Sequence, residues 1–354
     1  MIKTIKKDID RALTGFLERI GSRLSAADSA EPLYRCIRDF VLRDGKRVRP
    51  ILFILAYTGY TREKIRDMEP VYNASLSVEL LHDFLLVHDD IIDRSPLRRG
   101  GPSMHRLFNT FYKKPPDSPL GNDLATVAGD IIFGLSVETL LAIEEKAENR
   151  AKALRIFLES TVDTGVGEYI DIVNNFRGID RIPLEEVLLT YRYKTSKYTF
   201  QCPLKMGAVL AGAEDDELER LSALSISLGQ AFQIQDDLLD VFSSQEKTGK
   251  PVLSDIAEGK KTLLMWHAFS ELDNTGREQL SSLLDLETKT DPDIEKIASL
   301  VRSTEAGARC FSRMNELFEE TLSLCGALRM NTEQLRAFET FVRSLIKRND
   351  LIDL

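Results

Sequence analysis

The residues best suited to chemistry are two clusters of aspartates that share the spacing D-D-x-x-D. The first lies in LLVHDDIID (85–93) and the second in IQDDLLDV (234–241). On a helix, the first and last aspartates of each cluster are four residues apart and share one face. Their neighbours are apolar, which predicts that the helices carrying them are largely buried.

Buried carboxylates of one sign repel each other and need a cationic partner. Mg²⁺ prefers hard oxygen ligands and is commonly held by one or two carboxylates together with substrate phosphates. The ordinary alternative is an acidic helix face that pairs with Lys or Arg of a neighbour, and two copies in apolar helices make it the weaker interpretation. The predicted metal site consists of Asp89, Asp90, Asp93, Asp236, Asp237 and Asp240.

Basic residues accompany both acidic clusters. They form three groups: Lys46, Arg47 and Arg49; Arg98 and Arg99; and Lys250, Lys260 and Lys261. Each group alone is typical of a solvated surface. Together they indicate a site for a phosphate ester, because fixed positive charge beside a metal suits that ligand.

Composition excludes several classes of protein. The chain has 354 residues, 43% of them hydrophobic, and a net charge of −9, which argues against collagen-like, disordered and nucleic-acid-binding proteins. Its four cysteines form no C-x-x-C pair, so neither a disulfide framework nor a zinc site is expected. No apolar run approaches the roughly 20 residues that span a bilayer. We therefore expect a cytoplasmic protein without an integral membrane segment.

Apolar residues recur at helical spacing over most of the chain, and no segment alternates as a strand does. This pattern predicts an all-α fold in a single domain, residues 1–354. The predicted helices are 9–24, 33–43, 48–59, 71–93, 124–144, 150–175, 184–212, 215–242, 262–285, 292–302, 306–327 and 332–348. Two interruptions, 113–123 and 243–261, are predicted loops, and the longer one suits a lid.

The motifs, in this order, resemble those of the trans-polyprenyl diphosphate synthases. The matching segments are GKRVRP (45–50), LLVHDDIIDRSPLRRGGPSMH (85–105), YKTSKY (193–198), GQAFQIQDDLLD (229–240) and GKPVLSDIAEGKKT (249–262). The chain departs from the family pattern at Asp44, Glu168 and Leu253, where Gly, Gln and Gly are usual.

The resemblance implies a bundle of about ten or more helices around a central cavity, a homodimer and dependence on Mg²⁺. It is closest to geranylgeranyl and farnesyl diphosphate synthases. The implied partners are isopentenyl diphosphate and allylic prenyl diphosphates. The allylic diphosphate ionises, the double bond of isopentenyl diphosphate attacks the allylic carbon, and loss of a proton leaves a longer diphosphate.

The resemblance also implies a role for each matching residue. Asp89, Asp93 and Asp236 would ligate Mg²⁺ directly, while Asp90, Asp237 and Asp240 would support them. Arg98, Lys194 and Lys250 would hold the allylic diphosphate, and Lys46, Arg49, His82 and Arg99 the isopentenyl diphosphate. Thr195 and Gln233 would steady the cation, and Lys260 would reach the leaving group when the loop closes.

Product length is expected to depend on Phe84, which precedes Asp89 by five residues, a rise of roughly 7.5 Å along a helix. An aromatic there, followed by Leu85, resembles the pattern of C20 synthases, whereas paired aromatics suggest C15. The alternative is that Phe84 only packs between helices.

Three other functions fit the sequence less well. A class I terpene cyclase would leave Lys46, Arg49 and Arg99 without a second diphosphate. A di-iron bundle needs two Glu-x-x-His pairs, and the chain offers one, Glu79-x-x-His82. A non-catalytic helical subunit of a prenyl synthase would have no reason to retain every acid.

Overall fold

The computed structural model describes residues 1–62, 64–248 and 252–354. The chain folds into two compact units, one of Met1–Arg155 with Pro203–Ala213 and one of Ile156–Cys202 with Glu214–Leu354. Helices make up 78% of the structure, which confirms the all-α prediction. The prediction of a single domain over the whole chain stays a prediction, and each unit is described by itself.

The helices follow one another along the chain with short connections. The first are α1 Ile2–Leu24, α2 Glu31–Val41, α3 Val48–Tyr60, α4 Glu69–Ile92, α5 Met104–Phe111, α6 Pro119–Leu141, α7 Ala147–Asn175, α8 Leu184–Thr190 and α9 Cys202–Leu210. The remaining ones are α10 Asp215–Phe242, α11 Gln245–Thr248, α12 Ser254–Glu258, α13 Leu263–Glu271, α14 Asn274–Leu284, α15 Asp291–Arg302, α16 Ala306–Cys325 and α17 Thr332–Ile346.

Helix α4 carries the first acidic cluster at its C-terminal end and packs against α6 in the first unit. Its central residues are buried, as the apolar sequence around the cluster predicts. Gly129 of α6 permits the close approach, because an added Cβ would lie 2.4 Å from Cε1 of His88. The backbone near the cluster is therefore fixed by helix packing rather than by a loop.

Helix α6 is also long and apolar enough to cross a bilayer, since an 18-residue window has a mean hydropathy of 1.6. The expectation that no apolar run approaches this length is wrong for α6, because few charges interrupt its apolar residues. Core helices outside membranes pass the same test, and 44% of this window is buried. The lack of an integral membrane segment stays a prediction.

In the second unit, the segment predicted as one helix over 184–212 is divided. An 11-residue π-helical segment, Tyr191–Gln201, lies between α8 and α9 and carries the Lys194-Thr195 pair. π-helical turns are rare and often occur at functional sites. Gly229 of α10 lies against this segment, because an added Cβ would be 2.4 Å from Cα of Ser196.

The two predicted loops are shorter than expected. Helix α6 begins at Pro119, inside the segment predicted as loop 113–123, and α11 and α12 lie within 243–261. A small hairpin, β1 Leu97–Arg98 with β2 Gly101–Pro102, follows the first acidic cluster. Alternating hydrophobicity does not reveal this hairpin, because each strand is only two residues long.

We predict that Gly229→Ala destabilises the protein by about 1–3 kcal/mol, the usual effect of overpacking, because its methyl group would clash with the π-helical segment. Gly165→Ala on α7 is the matched control, since nothing lies within 4 Å of its added Cβ. That variant should keep or raise the free energy of unfolding, because Ala favours a helix. Chemical denaturation measures both, and equal stabilities would contradict the close approach.

Candidate active site

The first acidic cluster is paired with the hairpin that follows it. Nε of Arg98 donates to Oδ1 of Asp90 over 2.8 Å, and Nη2 contacts the same oxygen and lies 3.3 Å from Oδ2 of Asp89. Asp90 is buried, and burial raises its pKa to about 6 despite Arg98. Asp89 and Asp93 are half-buried. Arg98, predicted to hold a diphosphate, thus contacts the acidic cluster in this structure.

A second ion-pair network lies deeper in the first unit. Nη1 of Arg99 is 3.0 Å from Asp83, and Nη2 is 3.4 Å from Glu79. Glu79 also pairs with the buried Arg47 over 2.6 Å, and Arg47 reaches Asp10 over 2.8 Å. Arg47 and Arg99 both have positive φ angles, 50° and 51°. These ion pairs neutralise buried charges. The sequence alone did not show which residues would pair.

The cations predicted for isopentenyl diphosphate lie around His82 on α4. Burial of the imidazole, followed by the charges of Arg49 and Arg99, lowers the pKa of His82 well below its ordinary value. The ring is therefore neutral near pH 7, where it can accept or donate a hydrogen bond. Arg49 is half-buried at the start of α3, and Lys46 is exposed just before it. The structure brings these four residues into one part of the first unit.

The second acidic cluster lies on α10 and its three aspartates have different environments. Asp236 is exposed, whereas Asp237 is buried. Asp240 accepts hydrogen bonds from the backbone N–H groups of Ser254 and Asp255, over 3.0 and 3.1 Å, and from the Ser254 hydroxyl over 2.9 Å. Asp240 therefore anchors the start of α12.

The loop before α12 takes its shape from an unusual backbone conformation. Leu253 has a φ of 62°, the left-handed region that glycine favours, at the position where the resembling family usually has Gly. Its N–H donates to the carbonyl oxygen of Asp240 over 2.9 Å. The departure from the family pattern thus leaves the turn itself in place. Lys250, predicted to hold the allylic diphosphate, lies outside the described residues.

Most of the remaining predicted residues line one cavity in the second unit. The predicted members are Lys194, Thr195, Gln233, Asp237 and Lys260, and the others are Asp171, Asn174, Val187, Thr190, Tyr191, Asp255, Lys261 and Thr262. Nζ of Lys194 is 2.7 Å from both Glu168 and Asp171 of α7. Nζ of Lys260 is 2.5 Å from Glu258. Two predicted phosphate-binding lysines are therefore held by carboxylates.

A chain of hydrogen bonds crosses this cavity. The Thr195 hydroxyl donates to Oε1 of Gln233 over 2.7 Å, and Nε2 of Gln233 donates to Oδ1 of Asp237 over 2.9 Å. The hydroxyl of Tyr191 donates to Oδ2 of Asp237. Burial raises the pKa of Asp237 above its usual range even with these donors. Sequence analysis missed Tyr191, because its helical spacing is that of a buried apolar side chain.

The predicted product-length residues lie on the half-buried face of α4. The ring of Phe84 is 5.2 Å from that of Phe133 on α6 and 4.6 Å from that of His88. Leu85 is half-buried beside it. Phe84 therefore packs against aromatic neighbours on two sides. Its role in product length stays a prediction.

Among residues 1–62, 64–248 and 252–354, no three acidic, histidine or cysteine side chains converge closely enough to hold a metal ion alone. The carboxylates still suit Mg²⁺, which takes only one or two of them and completes its shell with water and phosphate oxygens. Oδ2 of the buried Asp90 has no hydrogen-bond partner among these residues. The six predicted ligands thus stay a prediction.

Comparison with known proteins shows the family. The model of the polyprenyl synthetase family matches residues 30–301. The chain belongs to the polyprenyl synthetase family. It is therefore an enzyme, a trans-prenyltransferase, as the order of the motifs predicts.

Individual relatives agree with this assignment. A short chain isoprenyl diphosphate synthase of Methanocaldococcus jannaschii is 31% identical over 81% of each chain. A geranylgeranyl diphosphate synthase of Methanosarcina mazei is 31% identical over 84% of this chain and 86% of that protein. The crystal structure of a geranylgeranyl pyrophosphate synthase from Corynebacterium glutamicum, complexed with isoprenyl diphosphate and magnesium, has a TM-score of 0.89 at 26% identity. It covers 98% of this chain and 99% of its own.

We predict that Asp240→Ala loosens the segment that precedes α13, because it removes the acceptors for Ser254 and Asp255. Hydrogen bonds to charged groups are worth about 1.5–3 kcal/mol, so backbone amide exchange in α12 should accelerate more than tenfold. Asp236→Ala, on the same helix but exposed, should leave this exchange unchanged. Hydrogen exchange with mass spectrometry compares them, and equal protection of α12 in both variants would show that Asp240 is not its anchor.

Proposed function

We propose that this prenyltransferase condenses isopentenyl diphosphate with an allylic diphosphate, in a Mg²⁺-dependent reaction, to make an all-trans C20 diphosphate. The observation that carries the proposal is the cavity of the second unit. It places two lysines, Lys194 and Lys260, beside the uncharged polar pair Thr195 and Gln233. Cations suit a leaving diphosphate, and side-chain dipoles suit a carbon that becomes positive.

At the allylic end, ionisation breaks the bond between the allylic carbon and oxygen, and the electron pair leaves on the diphosphate. Lys194 and Lys260 would hold that diphosphate, because both line the cavity. Their carboxylate partners, Glu168 and Asp171 for Lys194 and Glu258 for Lys260, hold the ammonium groups in position before substrate binds. Arg98 and Lys250 would also hold the allylic diphosphate.

The second substrate, isopentenyl diphosphate, needs cations of its own. Lys46, Arg49, His82 and Arg99 of the first unit would supply them. Arg99 is held by Asp83 and Glu79, so its orientation is set before the ligand arrives. A neutral His82 would add a hydrogen bond without adding to the repulsion among the arginines.

Mg²⁺ bound at the acidic clusters would neutralise charge that develops on the leaving diphosphate. We assign Asp89, Asp93 and Asp236 as its ligands from their places in the two D-D-x-x-D motifs, and each is exposed or half-buried, so a hydrated ion could reach its carboxylate. Asp90, Asp237 and Asp240 would support them through their hydrogen bonds to protein groups. The related structure that contains magnesium and isoprenyl diphosphate supports this choice of metal and ligand.

The expected homodimer also stays a proposal. Exposed apolar side chains follow one face of α7 and continue just past its end: Leu158, Val162, Val166, Tyr169, Val173 and Phe176. A second copy of the chain would remove this apolar surface from water.

The decisive experiment incubates the protein with Mg²⁺, isopentenyl diphosphate and allylic primers of five, ten and fifteen carbons. We expect products that grow by five-carbon units to C20, and none when the metal is chelated. Asp89→Ala and Asp236→Ala should each lower kcat at least about a hundredfold, as loss of transition-state electrostatics does, with little change in melting temperature. Conversion of an allylic diphosphate alone into a hydrocarbon would instead indicate a terpene cyclase, and binding without turnover a non-catalytic subunit.

We predict that Phe84→Ala lengthens the products by one or more five-carbon units, because in the proposed reaction its ring would block the growing chain along α4. Phe40→Ala on α2, a fully buried phenylalanine, is the control for loss of core packing, which costs about 3–5 kcal/mol. Chromatography of the products and melting temperatures separate the two effects. Unchanged C20 products from Phe84→Ala would mean that Phe84 only packs between helices.

A further inference from the structure

Tyr191 is the first residue of the π-helical segment and lines the cavity, yet the proposed reaction gives it no role. It is 5% exposed, and its hydroxyl has partners on two other elements. The hydroxyl accepts from the backbone N–H of Leu263, at the start of α13, over 2.8 Å and donates to Oδ2 of Asp237 on α10. A phenylalanine would fill the same volume without any buried polar group, so packing alone does not explain this residue.

With Asp237 ionised, the direction of each hydrogen bond from Tyr191 to Thr195 is set. The Tyr191 hydroxyl accepts from the backbone N–H of Leu263 and donates its single proton to Asp237, because an ionised carboxylate only accepts. The other oxygen of Asp237 accepts from Nε2 of Gln233. An amide has NH₂ at one end and a carbonyl at the other, so the carbonyl of Gln233 is directed to Thr195, which donates to it.

We propose that Tyr191 is a positioning residue that acts through Asp237 to fix the orientation of the Gln233 amide. The inference rests on the proposed function, in which a carbon in this cavity becomes positive as its bond to the diphosphate oxygen breaks. The carbonyl oxygen is the negative end of the amide dipole, and a dipole held in place before reaction lowers the barrier. A reversed amide would direct its positive NH₂ end to the Thr195 side instead.

The position of Tyr191 suits this role because it joins three elements. The π-helical segment carries Lys194 and Thr195, α10 carries Gln233 and Asp237, and α13 begins three residues after Lys260. One hydroxyl therefore connects the residues proposed for the leaving group with the residues proposed for the cation.

The test compares Tyr191→Phe with Tyr193→Phe, two residues along the same segment. The Tyr193 hydroxyl makes no hydrogen bond to any residue that the structure describes, and its ring lies 4.1 Å from Nζ of Lys197, a contact that Phe keeps. We expect Tyr191→Phe to lower kcat about tenfold with both KM values within about twofold, because the interaction strengthens in the transition state. Tyr193→Phe should match the wild type.

A double-mutant cycle with Gln233→Met shows whether the effect passes through the amide. If it does, adding Tyr191→Phe to Gln233→Met should change kcat less than twofold, whereas independent effects would multiply. Multiplied effects, or an unchanged kcat in Tyr191→Phe, would overturn the proposal. A wild-type protein that makes no prenyl product would overturn the proposed function and the role of Tyr191 together.

A second variant serves if Tyr191→Phe does not fold. Asp237→Asn offers an oxygen to Tyr191 and an NH₂ to Gln233, so the Gln233 carbonyl must turn to accept while each buried group keeps a partner. We expect kcat to fall at least about tenfold, an effect of about 1.4 kcal/mol, and the fall to be clearly smaller in the Gln233→Met background, where only the support that Asp237 gives to the metal ligands is still lost. A kcat near that of the wild type, or a fall of the same size with Gln233→Met, would overturn the proposal.

Discussion

The structure depends on how buried carboxylates find their donors. Glu79, Asp83, Asp90 and Asp237 are almost fully buried inside helices. A carboxylate without a partner in that environment is strongly destabilising, whereas one that is paired and hydrogen-bonded is tolerated. The irregular parts of the chain supply these partners, so the loops and the π-helical segment are as necessary to the fold as the helices are.

The first unit meets this requirement with arginines held in unusual backbone conformations. Arg47 and Arg99 have positive φ angles, which non-glycine residues adopt only at a cost of about 1–2 kcal/mol. Their side chains converge on Glu79 from either side. The ion pairs offset the backbone strain, and they leave the cation cluster around His82 with its geometry set in advance.

Sequence analysis predicted the helical class, the location of both acidic clusters and the helices 48–59 and 292–302, which α3 and α15 match to within one residue. These features follow from local periodicity, which one segment of chain determines. It did not predict the partners of Arg98, Arg99 or Lys194, because ion pairs between distant segments leave no local pattern. It also predicted one continuous helix over 184–212, because the apolar spacing there does not distinguish a π-helical segment from an α-helix.

Leu253 has a further consequence for the segment that ends in Lys260. Its left-handed backbone strains the folded chain, yet a leucine samples far fewer conformations than a glycine when the segment is released. The backbone strain lowers the free energy needed to unfold this segment, whereas the smaller conformational entropy of the unfolded segment raises it. The two contributions therefore partly cancel. In a local unfolding of this segment, the released chain would therefore have fewer conformations to search before the backbone N–H groups of Ser254 and Asp255 bind Asp240 again.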